Sequence, residues 1–282
     1  MFKVYDSNFK EVKIPVDGLG FGSRALEINV GPVIYENVYS QSRRADTLVK
    51  RYAKDRQVSI VLMVSGMDET DFRMKRDVLY SFFRNLGVFF VAEEQQPFKL
   101  IKVIVNDDYD IDRQTPEIAI PEIPLKIIDT PFKQSLHTTF ALDAEGIRWN
   151  NKWAYGMGLS SDDEQWKYSF SGEDPRFYNA GTEDIKLIQQ KESEITLTVN
   201  TPPTNNLIDI DDGETTFKFW KEFNSGDVIK IKGHQIMLNG NNALGDTNGE
   251  FLTVKKGWNN WDIRGIPNHD FTIDIDFRFL YD

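Results

Sequence analysis

Histidine, cysteine and paired acidic residues are the groups from which an active site would have to be built in this chain. Cysteine is absent, which excludes disulfides, thiol nucleophiles and thiolate metal ligands. The three histidines, His137, His234 and His269, stand in unrelated local contexts, and none lies in a nucleophile-elbow or zinc-protease pattern. No pair among the 44 acidic residues is favoured by its spacing as a glycosidase dyad. The sequence predicts a protein that is not an enzyme and has no metal or other cofactor.

Two acidic stretches place oxygen ligands at alternate positions, as a calcium-binding loop does. In 108–112, Arg113 stands where the loop needs glycine, and Ala119 stands where it needs the closing glutamate. In 209–213 the glycine comes one position early, and the loop would end at Trp220. Both stretches fail the pattern and are interpreted as solvated loops.

The glycines at positions 18, 20 and 22 have the spacing of a phosphate-binding loop. The stretch lacks the lysine of a P-loop, and no strand–helix–strand unit surrounds it. We expect a flexible turn, or a place where glycine allows close packing against a neighbouring subunit.

Net charge and hydropathy narrow the function classes further. The net charge of −11 argues against a general nucleic-acid binder, which needs a concentrated basic face. One basic cluster occurs, and it is typical of a solvated surface or of a contact with an acidic partner. No apolar stretch is long enough to span a membrane, and the first residues lack the apolar core of a secretory signal. The basic cluster named above comprises Arg43, Arg44, Lys50, Arg51, Lys54 and Arg56.

All six tryptophans lie in the second half of the chain. Sugar-binding β-sandwiches stack tryptophan rings on pyranose rings, so Trp258 and Trp261 form a possible exposed pair that contacts a glycan or a partner. Tryptophan is also favoured in cores and in protein interfaces, which leaves the structural interpretation open.

The elements that must position these groups are mainly strands, with one helix. Apolar residues at spacings of three and four from Asp71 to Leu86 predict the helix, with Asp68 or Thr70 as its N-cap and Gly87 at its end. Runs at 88–91 and 98–105 predict a hairpin that follows the helix.

Two other segments of the first half have weaker patterns. Between Val33 and Arg56 no period dominates, and we expect an arm-like loop that is disordered or mobile in the isolated chain. The segment 118–128 predicts a strand pair or a long edge strand, because prolines at 116, 121 and 124 punctuate it.

A domain boundary is predicted at 131–135, which gives domains 1–134 and 135–282. Beyond the boundary, strand-like runs recur about every ten residues with turn signals between them and no helical stripe, which is typical of a sandwich or jelly roll. The fold class predicted is mainly β with one helix: an α+β first domain and an all-β second domain.

Taken in order, several motifs resemble the distal tail protein family of phages with long, non-contractile tails. The order and spacing of the motifs carry the resemblance, which covers essentially the whole chain. One departure is the stretch 41–46, where many members have a glycine-rich, charged turn. The motifs are the hairpin at 87–103, the proline–aromatic step at 127–132, and the stretches 177–182, 226–231, 236–242 and 254–265.

The resemblance implies a virion structural protein of a phage or prophage, made in the bacterial cytoplasm and located at the tail tip. It implies a hexameric ring formed by the first domain, around a channel for DNA passage without sequence-specific binding. The second domain would be a galectin-like sandwich that docks tail-tip, baseplate or receptor-binding components, and the tail tube would be a further partner. Because a ring needs two different complementary surfaces, the basic arm is assigned to the oligomer interface. The residues assigned to it are Arg43, Arg44, Lys50, Arg51 and Arg56.

Overall fold

Alternating apolar residues build many of the β-strands of this chain. The computed structural model describes residues 1–18, 23–41, 46–106, 109–115, 117–149, 152–160 and 163–282. The chain divides into unit 1, which is Met1–Lys133 together with Asp282, and unit 2, which is Gln134–Tyr281. The predicted boundary lies one residue from this division.

The described residues of unit 1 form eight strands and one long helix, and a ninth strand crosses the boundary between the units. In chain order they are β1 (Phe2–Tyr5), β2 (Glu11–Val12), β3 (Arg24–Gln41), β4 (Asp46–Ser65), α1 (Glu69–Leu86), β5 (Val88–Glu93), β6 (Lys99–Val105), β7 (Ile118–Ala119), β8 (Glu122–Ile127) and β9 (Lys133–Ser135).

The strands of unit 1 form an antiparallel sheet in the order β2-β1-β5-β6-β8-β4-β3. Along β4 the side chains from Val58 to Val64 alternate between buried and half-buried, so one face of the strand lies in the core. Phe72, Leu79 and Phe83 of α1 belong to the same buried cluster as these strand residues. The core of unit 1 therefore lies between the helix and one face of the sheet.

Helix α1 ends at Leu86 as predicted and begins at Glu69, two residues before the predicted Asp71, with the predicted Asp68 as its N-cap. The Asp68 side chain accepts a hydrogen bond from the backbone N–H of Asp71 at 2.8 Å, which satisfies one of the free donors of the first turn. Gly87 has φ of 62°, and its N–H donates to the Phe83 carbonyl. Within the stripe, Lys75 is buried, and its ammonium donates to the Ser65 carbonyl at 2.8 Å. The predicted hairpin after the helix is also present, because β5 pairs with β6.

The prediction of a loop from Val33 to Arg56 was wrong for the described residues 33–41 and 46–56. These residues belong to β3 and β4, which pair antiparallel from Arg24↔Met63 to Gln41↔Asp46. The ladder pairs the backbone groups that face each other across the two strands, so the segment has regular structure without a buried face of its own. The register shifts at several positions, each of which marks a β-bulge or an irregularity.

The segment 118–128 forms two strands, β7 and β8, and the alternative prediction of a long edge strand was wrong. Strand β8 lies between β6 and β4 in the sheet. Pro124 stands opposite Ser59 in the ladder, and its carbonyl accepts a hydrogen bond from the Asn106 N–H at 3.1 Å. Proline lacks only the N–H donor, and its carbonyl remains available to the neighbouring segment.

In the described part of unit 2, a short helix is followed by fourteen strands. They are α2 (Thr139–Glu145), β10 (Ser169–Ser171), β11 (Arg176–Asn179), β12 (Ile185–Lys186), β13 (Glu194–Val199), β14 (Leu207–Asp211), β15 (Thr216–Trp220), β16 (Asp227–Lys232), β17 (Gln235–Leu238), β18 (Asn241–Asn242), β19 (Thr253–Val254), β20 (Gly257–Asn260), β21 (Asp262–Arg264), β22 (Phe271–Asp276) and β23 (Leu280–Tyr281).

The strands of unit 2 form one larger sheet and several small ones. The larger sheet has the order β10-β22-β13-β16-β17-β18, and β15-β14-β21, β11-β20 and β12-β19 form the others. Aromatic side chains fill the core, among them Phe177 and Trp261, whose rings meet edge to face at 5.0 Å. The predicted fold class, mainly β with an α+β first half and a β-rich second half, is confirmed.

The sequence predicted one helix, and helix α2 is a second one that was not predicted. It follows Thr138, which makes no side-chain cap hydrogen bond. The carboxylate of Asp276 instead accepts a hydrogen bond from the Phe140 N–H at 3.0 Å. The cap therefore comes from a residue 136 positions away, and no local signal marks the start of the helix.

Candidate functional site

The outer part of the β3–β4 hairpin is exposed on both faces. From Asp46 to Asp55 every side chain is exposed except Ala53, which is half-buried. From Arg56 onward the same strand alternates between buried and more open positions. The hairpin thus begins within the sheet of unit 1 and continues as a two-stranded ribbon with solvent on both sides.

This ribbon carries large apolar side chains in contact with water. An isolated two-stranded hairpin is marginally stable, and contiguous exposed apolar surface on a protein marks an interaction site. The exposed apolar residues of the ribbon are Ile34, Val38, Tyr39, Leu48, Val49 and Tyr52.

The apolar residues lie at defined places in the ladder. Tyr39 stands directly opposite Leu48, so the two side chains form a cross-strand pair. Val38 stands opposite Lys50, so Val49 is an extra residue at a bulge and has no ladder partner. Val49 is 65% exposed, which makes it one of the most accessible apolar side chains of the described chain.

Charged groups on the ribbon are held by neighbours within it. The guanidinium carbon of Arg51 lies 4.2 Å from the centre of the Tyr35 ring. The Lys54 ammonium lies 2.6 Å from the Glu36 carboxylate. The hydrogen bond from Lys54 lowers the pKa of Glu36, and the same bond raises the pKa of Lys54. These contacts fix the positions of charges that would otherwise move freely in solvent.

The residues assigned to an oligomer interface divide into three groups. Arg43 and Arg44 lie outside the described residues. Lys50 and Arg51 are exposed on the ribbon, together with the apolar side chains that sequence reasoning did not single out. Arg56 differs from both groups, which corrects the prediction of an accessible interface residue at this position. Its side chain is only 3% exposed, and its guanidinium contacts the Asp282 carboxylate.

The tryptophan pair predicted from the sequence does not exist as an exposed pair. Trp258 is 36% exposed, whereas Trp261 is 2% exposed and packs against Phe177. Side chains three positions apart on extended backbone point to opposite faces, which the spacing alone could have indicated. Trp261 therefore cannot stack on a glycan in this structure.

The acidic stretch at 209–213 has a structural role in the β14–β15 turn. The Asp211 carboxylate accepts hydrogen bonds from the Gly213 N–H at 2.8 Å and from Arg264 at 2.6 Å. These contacts, first of all that with the Gly213 N–H, lower the pKa of Asp211. The Asp212 carboxylate accepts from the N–H groups of Glu214, Thr215 and Thr253. The Asp211 and Asp212 carboxylates therefore stabilise the β14–β15 turn through these hydrogen bonds.

The described side chains include no group of three or more His, Asp or Glu with the arrangement of a metal site. The acidic stretch 108–112 lies partly outside the described residues, since 107–108 are not described. Among the described elements, no helix combines the length and the apolarity that crossing a bilayer requires.

Comparison with solved structures identifies the fold. The chain is similar to the Dit protein of phage SPP1, described as a paradigm of the hub adsorption apparatus in phages that infect Gram-positive bacteria, with a TM-score of 0.64 and 12% identity. The match covers 99% of this chain and 100% of that one. Neither the known family models nor the curated protein sequences match this chain.

Chains of the phage p2 baseplate in its activated conformation are more distant. The strontium-bound form matches at a TM-score of 0.43 and the calcium-bound form at 0.41, both with 13% identity. In each case the match covers 98% of this chain and 97% of the other. The SPP1 match extends along the whole chain. This chain therefore has the fold of phage Dit proteins. The resemblance found in the sequence is confirmed at the level of fold.

Proposed function

We propose that this chain is a structural distal tail protein of a long-tailed phage or prophage with a non-contractile tail. Copies assemble as a ring of six at the tail tip and serve there as a hub for baseplate and receptor-binding components. The protein is made in the cytoplasm of a bacterial host and has no enzymatic activity. The similarity to SPP1 Dit along the full length of both chains supports this role.

The observation that carries the proposal is the ribbon formed by the outer β3–β4 hairpin. Its six exposed apolar side chains lie on both strands, and the ribbon has no core of its own to cover them. Burial against a neighbouring copy removes this apolar surface from water, which is the dominant favourable term in protein association. A ring needs an interface in which one surface meets a different surface on the next copy, and the ribbon can supply one of the two surfaces.

Electrostatics supports the same arrangement. The segment Val33–Arg56 carries more basic than acidic residues, while the whole chain has a net charge of −11. A basic ribbon and an acidic receiving surface would set the register and the specificity of the contact more than its strength. DNA would pass through the ring without being recognised by sequence.

Truncation of the ribbon tests the proposal. Tyr35 stands opposite Ala53, so residues 36–52 can be replaced by Asn-Gly, a pair that favours a tight two-residue turn. We expect the intact chain to form rings in negative-stain images, alone or with its tail partners, and the truncated chain to remain folded but monomeric. Native mass spectrometry that finds only monomers of the intact chain, with tail partners present, would overturn the proposal. Rings formed by the truncated chain would show that the ribbon is not the interface.

A further inference from the structure

A second site lies in unit 2, around the exposed ring of Trp258. Trp258 stands opposite Tyr178 in the β11–β20 ladder, and the two rings meet edge to face at 5.3 Å. The guanidinium carbon of Arg176 lies 4.4 Å from the centre of the Trp258 ring. Two neighbours on a strand thus fix the orientation of the indole, while 36% of the residue remains open to solvent.

The ring borders a shallow cavity of about 270 Å³. Most pockets for drug-sized ligands have volumes of roughly 300–1,000 Å³, so this one fits a smaller group. Its lining combines two aromatic residues with four charged ones: Phe170, Trp258, Lys167, Glu173, Asp174 and Arg176.

The charged residues of the cavity are positioned by other contacts. The Lys167 ammonium lies 2.5 Å from the Glu173 carboxylate and 5.1 Å from the centre of the Phe170 ring. Asp174 accepts a hydrogen bond from the Ile263 N–H at 3.0 Å, and its carboxylate lies 3.8 Å from His269. The fold therefore fixes the positions of the donors and acceptors at the rim of the cavity. Fixed positions lower the entropy lost when a ligand binds.

The balance of charges indicates the kind of ligand. Two cations and two carboxylates line the cavity, so neither an anion nor a cation gains a net electrostatic advantage. A neutral molecule whose hydroxyl groups both donate and accept matches these side chains. An apolar face on the same molecule would cover the open part of the indole ring and remove it from water. A sugar ring has both properties.

We propose that the cavity beside Trp258 binds a neutral saccharide, with one sugar ring against the indole and its hydroxyl groups on Arg176, Lys167 and the two carboxylates. The volume admits a single sugar unit, such as the end or an exposed branch of a glycan. This site lies within unit 2 and does not depend on ring assembly. A shallow site with one aromatic platform binds weakly, so the assay must detect millimolar affinity.

Saturation-transfer NMR on the full chain tests this proposal. The probes are methyl glucoside, methyl galactoside and N-acetylglucosamine, with glucuronate and glucosamine as charged comparisons. We expect saturation transfer to at least one neutral sugar, and binding at least tenfold weaker in Trp258→Ala. The matched control is Trp220→Ala, because Trp220 is also exposed in unit 2 but does not line the cavity, and it should bind as the wild type does.

A second variant keeps the test decisive if Trp258→Ala fails to fold. Arg176→Ala removes the cation over the ring and should also weaken binding. The proposal is overturned if no neutral sugar gives a signal, if the charged sugars bind in preference, or if both variants bind as the wild type does.

Discussion

Arg51 lies over the ring of Tyr35 across the β3–β4 ladder, with the guanidinium carbon 4.2 Å from the ring centre. Asn37 is the direct ladder partner of Arg51, so the contact with Tyr35 is diagonal. The stack holds a cation at a fixed place on the exposed ribbon. A fixed cation can meet a carboxylate on a neighbouring copy with less entropy loss than a mobile one.

Arg51→Glu should weaken association of the copies and reduce its dependence on salt, because the change reverses a charge in the proposed interface. Lys186→Glu is the matched control, since Lys186 is exposed in unit 2 and undergoes the same change in charge. Sedimentation at low and high salt measures both effects. Equal weakening in the two variants would mean that net charge alone controls association.

Val49→Glu should abolish assembly while leaving the monomer folded. Val49 is 65% exposed at a bulge, so the substitution changes little within the monomer but places a charge in an apolar contact between copies. Met74→Glu on α1 is the control with the same exposed fraction of 65%. Size-exclusion chromatography with light scattering distinguishes the outcomes. Assembly that survives Val49→Glu would exclude this part of the ribbon from the interface.

His137 should make the stability of unit 2 depend on pH. Burial, and then the charges of Lys152 and Arg278, lower the pKa of His137 to about 4, whereas Glu145 acts in the opposite direction. The folded state therefore takes up a proton at lower pH than the unfolded state, whose histidine pKa is about 6.5. The stabilising contribution is complete above pH 6.5 and is lost as the pH falls from there towards 4.

Thermal unfolding of His137→Gln across this range checks the prediction, and its melting temperature should fall less with acidification than that of the wild type. His234→Gln, at an exposed position, should follow the wild type. The same acid-dependent decline in the wild type and in His137→Gln would refute the assignment.

Gln190 should contribute to stability through the backbone of Arg278. The Gln190 amide donates to the Arg278 carbonyl at 2.8 Å, and its oxygen accepts from the Arg278 N–H at 2.9 Å. Gln190→Leu leaves both buried backbone groups without these bonds and should cost about 2–3 kcal/mol of unfolding free energy. The neighbouring Gln189 is exposed, and Gln189→Leu should change stability by less than about 0.5 kcal/mol. Urea unfolding of the two variants measures the difference.

Much of the core fold could be predicted because it depends on local signals. The stripe of α1, the Asp68 cap and Gly87 all act within a few residues of the helix, and the alternation of Val58, Ile60 and Leu62 reports a sheet with one buried face.

The outer β3–β4 hairpin could not be predicted, because it lacks such local signals. Both of its faces are exposed, so no alternation of apolar and polar residues records the strands, and backbone pairing alone leaves little trace in the sequence. Its sequence signal is the presence of apolar residues such as Tyr39 and Leu48 on either side of the polar stretch 40–47. Helix α2 and the buried position of Trp261 depend on contacts distant in sequence, with Asp276 and Phe177 respectively.

The bulges of the β3–β4 ladder have a consequence for the protein before it assembles. β3 is the outermost strand in the strand order of its sheet, and a long, flat outer strand is a template for amyloid-like pairing between chains. Two of the four register shifts, at Ile34/Tyr35 and Val38/Tyr39, lie in the ribbon and increase its twist, and the Glu36–Lys54 ion pair places charges beside the apolar residues. Both features act as gatekeepers against aggregation. The same irregularities that shape the ribbon thus reduce the tendency of newly synthesised chains to aggregate.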